Sequence, residues 1–318
     1  MRSGKPANAV PVYSMSWGKR AARDLFVNKD LYLLVIPVLA YYIIFHYAPM
    51  YGAQIAFRDY RPTIGIWEST WVGFDHFERL FASPFFWRII RNTLTISVAT
   101  LIFGFPAPIL LAILLNELRS RMFSRVVQTI SYLPHFISTV VIAGMIVQFV
   151  GPRGIITQML NTLGLIDLVP MLNFPNYFVP IYVTQSIWQT MGFGSIIYLA
   201  ALQGIDQELY EAAKIDGAGR FKQVLYITLP GIAPTIIILL ILRMGQLLSV
   251  GHEMILLLYN PLTYETADVI STFVYRAGLL DFQWSFSTAV NLFNSVINFS
   301  LVLTANWLSR KFSETSLF

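Results

Sequence analysis

The side chains that carry acid–base, nucleophilic or metal-binding chemistry show no arrangement typical of an enzyme. The four histidines, His46, His76, His135 and His252, lack the helical spacing to a second ligand that a metal site requires. The chain has no cysteine, which excludes disulfides, thiol catalysis and cysteine-bound metals. No Ser/His/Asp triad and no carboxylate pair is apparent. We therefore expect a chain without catalytic residues and without a metal.

A phosphate-binding loop of the G-x-x-x-x-G-K-[ST] type is also missing from the sequence. The nearest match, Gly18-Lys19, lacks both the upstream glycine and the following Ser or Thr. We expect this chain to bind no nucleotide and no other cofactor.

Polar side chains recur at helical spacing inside three apolar segments. Such groups are costly in a membrane span and face the bundle interior or a water-filled cavity. Amides donate and accept hydrogen bonds, and aromatic rings cover sugar C–H faces, which suits a sugar pathway. Amides also join helices to one another, and both interpretations stay open. The candidates are Tyr182, Gln185, Trp188 and Gln189, then Arg243 and Gln246, then Ser287, Asn291, Asn294 and Asn298.

Arg243 is the one strong base that the sequence places in the middle of an apolar span. A charge at that depth needs a partner, and a carboxylate, backbone carbonyls or a permeating anion would each serve. A structural pair and a sugar acid such as a uronate are therefore the two interpretations of this residue.

A charged segment, EAAKIDGAGRFKQVLYITLP, stands out in the apolar second half of the chain and runs from Glu211 to Pro230. Ala212 and Ala213 are strong helix formers whose small side chains let a partner approach closely. Gly217 tolerates a positive φ and permits a sharp reversal. We predict two short helices joined by a turn, with Pro230 and Pro234 setting the start of the following span.

Composition places these segments in a polytopic helical membrane protein. The chain has 318 residues, of which 56% are hydrophobic and only 12% charged, about half the usual charged share. Several apolar runs approach the roughly 20 residues that cross a bilayer. We predict six transmembrane helices, at about Leu31–Met50, Thr93–Leu115, Val126–Val150, Tyr177–Leu202, Ile232–Val250 and Phe286–Trp307.

The distribution of positive charge predicts the orientation. The segments on the side of both termini hold 14 lysines and arginines, and the alternate segments hold seven. The positive-inside rule therefore places both termini and the charged segment in the cytoplasm, and explains the net charge of +5 without nucleic acid. Residues 1–30 form a basic tail. Trp17, Ala21 and Leu25 share one face there, which fits either an interfacial helix or a disordered tail.

The charged segment resembles the EAA motif of permease subunits in ATP-binding-cassette (ABC) importers. The fixed positions of that motif are Glu211, Ala212, Ala213, Gly217, Ile227, Leu229 and Pro230, and Asp216 precedes the glycine. We call residues 204–230 the EAA loop. The stretches WVGFDHFERLF, LPHFIS and YNPLTYETADVISTFVYRAGL are similar to carbohydrate importer permeases, so the resemblance covers residues 31–318 as one permease domain.

This resemblance implies a type I importer permease that is not itself an enzyme. In that family the EAA loop docks on an ABC ATPase, present in two copies, which binds ATP and magnesium. A second, different permease and an extracytoplasmic binding protein complete the importer, which delivers oligosaccharides across a bacterial inner membrane. The alternative is an ion-coupled secondary transporter of small polar solutes. Such a protein usually has membrane-embedded carboxylates, which are nearly absent from these spans.

Overall fold

The structure is a computed structural model that describes Gly18 and residues 27–312. The predicted interfacial helix, with Trp17, Ala21 and Leu25, lies outside the described residues, as does the end of the C-terminal tail. Contacts divide the chain into two units, Met1–Gln54 and Ile55–Phe318. Helix α1 begins at Lys29 in the first unit and ends at Phe57, in the first residues of the second.

The second unit begins with a small hairpin and continues as helices. Strands β1 (Arg58–Arg61) and β2 (Ser69–Trp71) pair antiparallel, with Arg58 opposite Trp71. Helix α2 (Gly65–Glu68) lies between them. The remaining helices are α3 (Asp75–Ala82), α4 (Phe86–Asn116), α5 (Arg121–Phe136), α6 (Thr139–Phe149), α7 (Ile155–Thr162), α8 (Pro175–Gln203), α9 (Gln207–Ile215), α10 (Arg220–Met244), α11 (His252–Leu258), α12 (Tyr264–Ala267), α13 (Ile270–Leu280) and α14 (Trp284–Phe312).

The prediction of an all-α polytopic membrane protein is confirmed. Helices α1, α4, α10 and α14 are each long and apolar enough to cross a bilayer, and α5 with α6 could form a fifth, broken span. Helix α8 is less apolar but has 29 residues, which extend roughly 43 Å and exceed the ~30 Å hydrocarbon core.

In three spans a π-helical segment, which is wider than an α-helix, lies just before a proline, and the span continues through that proline. Five-residue π-helical segments at Ile43–Tyr47, Thr100–Gly104 and Val224–Thr228 each end two residues before a proline. The prolines are Pro49, Pro106 and Pro230. A proline removes the N–H that would bond the carbonyl four residues earlier, and local π geometry lets that carbonyl find another partner.

The prediction that Pro230 and Pro234 set the start of a span is therefore wrong. Helix α10 already begins at Arg220, twelve residues before the predicted Ile232, and it contains both prolines. It also ends early. Gly245 is its C-cap residue, and the residues after it form turns in which Gln246 donates its N–H to the carbonyl of Arg243 and Leu247 to that of Met244.

The predicted span Val126–Val150 is not one continuous helix but two helices, α5 and α6, bent by 100° at Ile137 and Ser138. The Ser138 side chain accepts the N–H of Val141 and so starts α6 independently. The end of α5 crosses α8 closely. A Cβ on Gly192 would overlap the backbone of Ser131, and the His135 ring stacks on Phe193 at 4.1 Å.

Among the described residues, three groups of apolar side chains hold the long helices together. One packs α3, α4, α13 and α14 around Ile89 and Phe286. The other two both include α8. One lies around Phe178 of α8 and includes Ile142 of α6 and Ile255 of α11. The other joins α4, α8 and α10 through residues such as Ile109, Tyr198 and Ile232, and lies near the EAA loop. Helices α4, α8 and α14 begin at the opposite end of the bundle, which we call the far end.

The close crossing at Gly192 predicts a sharp difference between two glycines. Gly192→Ala should destabilise the folded chain by about 1–3 kcal/mol, because the added methyl forces the Ser131 backbone away. Gly144→Ala in α6 is the control, since no atom lies within 4 Å of its Cβ position. Melting temperatures of the purified protein measure the difference, and equal values would contradict the crossing.

Candidate functional site

The EAA loop is shaped by backbone hydrogen bonds at its turn. Asp206 caps α9 by accepting the N–H of Glu208 at 3.0 Å. At the other end Ala218 donates to the carbonyl of Ala213 at 2.8 Å, and Gly217 donates to Lys214 at 3.1 Å. This pair of bonds is the Schellman motif, which requires a left-handed residue after the helix. Gly217 has φ +77°, so the predicted positive φ is confirmed.

The loop is tied firmly to the span that follows it. The Gln223 side chain donates to the carbonyl of Ala218 at 2.8 Å, and the hydroxyls of Tyr210 and Thr228 lie 3.0 Å apart. The second predicted short helix is not separate, because Arg220–Gln223 is the first turn of α10. The loop is therefore joined to α10 by side-chain hydrogen bonds as well as by the chain itself.

The predicted contact residues divide into an exposed set and a packed set. Glu211, Ala212, Asp216, Gly217 and Pro230 are exposed and Ala213 is half-buried, so this side of the loop is open to a partner. Ile227 and Leu229 instead pack on the apolar group around Ile232, so they hold the loop on the bundle.

Two exposed apolar side chains on the loop were missed by the sequence reasoning. Ile215 is 87% exposed and Phe221 is 80% exposed, on either side of the Gly217 turn. Exposed large apolar groups beside charged residues are typical of an interaction surface. Their position in a charged segment, close to a glycine that predicts a turn, is the sequence feature that indicates an exposed location.

The polar stripe of α8 lies along a cavity. The cavity has a volume of about 470 Å³ and lies between α6 and α8, with Gln185 and Trp188 among mainly apolar side chains. The Gln185 amide donates to the Gln189 carbonyl oxygen at 2.6 Å. Tyr182 is buried and bonds the backbone of Gly251, within electrostatic reach of Arg243. The roles of these residues in a pathway stay predictions.

Arg243 does not lie in the middle of a span, so that prediction is wrong. It belongs to the last turn of α10 and is exposed. A basic side chain at this position is stabilised by the negative end of the helix dipole. Gln246 lies beyond the helix, and its N–H donates to the Arg243 carbonyl at 3.1 Å. An apolar run, Leu247 to Val250, made this turn look like a continuing span.

The amides of α14 serve at least one structural purpose. Asn298 accepts the N–H of Leu248 at 3.1 Å and donates to Ser249 at 3.2 Å, so it joins α14 to the turn after α10. Asn291 is exposed. Asn294 is buried, and in the part of the chain that the structure describes its Oδ1 atom has no hydrogen-bond partner.

The strongest electrostatic feature of the far end was not predicted. Asp268 is fully buried, and its carboxylate accepts Arg276 at 2.7 Å, Thr272 at 2.9 Å and Arg88 at 3.4 Å. Burial lowers the pKa of Arg276, but the hydrogen bond and charge of Asp268 outweigh it, so the pKa is raised. Asn92 also donates to the Asp268 carbonyl at 3.0 Å, and together these bonds tie α4 to α12 and α13.

The long apolar helices and the exposed charged loop between α8 and α10 define a multi-span helical membrane protein. Residues 104–314 match the family described as the binding-protein-dependent transport system inner membrane component. The chain belongs to this family, and it is a multi-pass permease component of the inner membrane. The resemblance to ABC importer permeases is thereby confirmed.

Relatives and solved structures extend this match over nearly the whole chain. Protein LplB of Bacillus subtilis is 46% identical over 96% of this chain and 94% of its own length. The polygalacturonan/rhamnogalacturonan transport system permease protein YteP of the same species is 42% identical over 98% of each. A bacterial ABC transporter that imports the acidic polysaccharide alginate contains a chain with TM-score 0.85 and 47% identity, covering 93% of this chain and all of that one.

The Asp268 cluster predicts that Arg276 is needed for a stable fold. Arg276→Leu leaves most of a buried negative charge uncompensated and should cost roughly 3 kcal/mol, seen as a lower melting temperature. Arg61→Leu is the control, because its ion pair with Asp59 is exposed and contributes little. If the two variants melted together, the cluster would not be a source of stability.

Proposed function

We propose that this chain is the permease subunit of an ATP-driven importer of acidic, uronate-containing oligosaccharides. The observation that carries the coupling role is the rigid continuity between the EAA loop and α10, because a docked partner could move the span through it. The acidic substrate class is supported by relatives whose names include alginate and polygalacturonan. Both polymers consist of uronate units.

The loop supplies an interaction surface and the span transmits its motion. Ile215 and Phe221 are the apolar contacts for a separate ATPase subunit, with Glu211 as a polar anchor. Ala212 and Gly217 form the floor on which the partner rests. When ATP draws two ATPase copies together, the loop moves as a body, and α10 moves with it.

The orientation follows from the positive-inside rule, with both termini and the EAA loop in the cytoplasm. The far end, with the Asp268 cluster, then faces outward, where a binding protein delivers the oligosaccharide. A solved alginate transporter is in complex with a pentasaccharide-bound periplasmic protein, and its matching chain is 46% identical to this one. A second, different permease supplies the other half of the pathway and the other coupling loop.

The substrate passes beside α8 and the end of α10. Gln185 and Trp188 offer an amide and an aromatic group along the 470 Å³ cavity, and Gln189 is hydrogen-bonded to Gln185. Asn291 and Asn294 are further amides on α14. Arg243, next to Tyr182, supplies a positive charge that a uronate can meet.

The coupling role is tested at the turn. Gly217→Val places a branched side chain at φ +77° and should cost about 1–3 kcal/mol of local strain, distorting the surface that contacts the ATPase. We expect the ATPase recovered with affinity-purified permease, and sugar uptake, to fall at least tenfold. Gly219→Val is the matched control, since Gly219 has φ −69° and equal free space. Full ATPase recovery and uptake in Gly217→Val would reject the coupling role.

The acidic substrate is tested with the complete importer in proteoliposomes. The native complex should take up oligogalacturonates in an ATP-dependent manner. Arg243→Gln should reduce that uptake about tenfold while leaving a neutral oligosaccharide of equal length unaffected, because one charge-assisted hydrogen bond is lost. Arg243→Lys keeps the charge and should retain most of the activity. Equal loss for both sugars, together with poor assembly, would make Arg243 a structural residue instead.

A further inference from the structure

A second cavity lies at the far end, apart from the one beside α8. It has a volume of about 690 Å³ and is enclosed by α3, the first turn of α4, α13 and the start of α14. Three arginines, Arg79, Arg88 and Arg276, line it together with aromatic side chains. Helix α4 has 31 residues and extends roughly 46 Å, so its first turn can lie outside the ~30 Å hydrocarbon core.

Two of these guanidinium groups have unused hydrogen-bonding capacity. Arg79 donates to the Gln283 side-chain oxygen at 2.7 Å and, within the described part of the chain, has no carboxylate within 4.0 Å. Arg88 contacts Asp268 only at 3.4 Å, and its buried Nε atom has no hydrogen-bond partner among the described residues. Arg276, by contrast, donates to Asp268 at 2.7 Å and to the Tyr259 hydroxyl at 3.4 Å.

The charges of the cavity leave a positive excess. Three guanidinium groups face two carboxylates, the buried Asp268 and the exposed Asp281 on the lining. Because Asp268 is already held by Arg276 and Thr272, it does not satisfy the free donors of Arg79. A planar guanidinium binds a carboxylate through two parallel hydrogen bonds, so the free donors are suited to an anion of that shape.

Aromatic rings hold the three guanidinium groups in place. Arg79 lies 4.6 Å from the ring centre of Phe286, and Arg88 lies 4.8 Å from that of Phe85. Arg276 lies 5.1 Å from the ring centre of Tyr264. Stacking of this kind restricts the side chains before any ligand arrives, which reduces the entropic cost of binding.

We propose that this cavity binds a uronate unit of the incoming oligosaccharide outside the membrane spans. Arg79 and Arg88 hold the carboxylate, and the rings around them cover the apolar faces of the sugar. A volume of about 690 Å³ is that of a small-molecule pocket, larger than a single protein carboxylate needs. The assignment rests on the proposed import of acidic oligosaccharides and adds a site separate from Arg243.

The experiment measures labelling of one cysteine in the cavity. Because the chain has no cysteine of its own, Ala82→Cys, on the cavity lining, gives a single reactive site. The complex of permeases and ATPases is prepared without binding protein and treated with a thiol reagent, and labelling of this chain is followed by mass. Thr63→Cys, in the exposed turn between β1 and β2, is the matched control.

Trigalacturonate should slow labelling of the Ala82→Cys variant at least fivefold, whereas maltotriose, a neutral sugar of the same length, should not. Labelling of the Thr63→Cys control should be unchanged by either sugar. Adding Arg79→Gln should raise the concentration of trigalacturonate that gives half protection about tenfold, because a charge-assisted hydrogen bond is removed.

Several outcomes would overturn the assignment. These are no protection by trigalacturonate, equal protection by maltotriose, or protection that survives Arg79→Gln unchanged. Protection by sugar-free binding protein alone, with no effect of trigalacturonate, would make the cavity a protein-docking surface instead. Uptake by the native complex is measured in parallel. If trigalacturonate does not protect Ala82→Cys but the native complex takes up oligogalacturonates, only the cavity assignment is rejected. If the native complex takes up no oligogalacturonate, the proposed substrate class is rejected.

Discussion

The constraint on which this structure depends is that backbone N–H and C=O groups must find partners inside an apolar medium. Helices satisfy it, and before Pro49, Pro106 and Pro230 the helix widens into π geometry instead of breaking. In α10 this continuity also determines how the EAA loop is attached to the span. Since the span passes through Pro230 and Pro234 without a break, the EAA loop at its start is mechanically part of it.

Charge is handled differently at the two ends of the bundle. At the loop end, charged side chains such as Glu211 and Arg220 are exposed, where solvent screens them and a partner can reach them. At the far end, a buried carboxylate gathers arginines that belong to α4 and α13. The exposed charges at the loop end leave a surface available for association. The buried carboxylate at the far end holds α4 against α13 and positions the guanidinium groups of Arg88 and Arg276.

Hydropathy and local spacing predicted the features that depend on residues close together in the sequence, namely apolar helices and one turn. The positions of α4, α8 and α14 followed from apolar runs, and the turn at Gly217 followed from one residue type at one position. Hydropathy could not detect the bend at Ile137 and Ser138, because both sides of it are apolar. It also placed Arg243 too deep, although Gly245 two residues later is a common signal for the end of a helix.

The features that escaped prediction depend on residues far apart in the chain. Asp268 and Arg88 are separated by 180 positions, so no local pattern indicates that they meet. The cavity at the far end has the same origin, since its lining combines α3 and α4 with α13 and α14. The close packing at Gly192 also could not be predicted from local sequence, because its partner Ser131 lies in another helix.

The Schellman turn of the EAA loop separates the shape of this surface from its chemistry. Its geometry is held by main-chain bonds at Ala213, Lys214 and Gly217 and by the cap at Asp206, none of which involves the exposed side chains of Ile215 or Phe221. Those two positions can therefore change without altering the backbone that presents them. Substitutions at Ile215 and Phe221 would thus alter which surface groups the turn presents, while its backbone and its attachment to α10 stay the same.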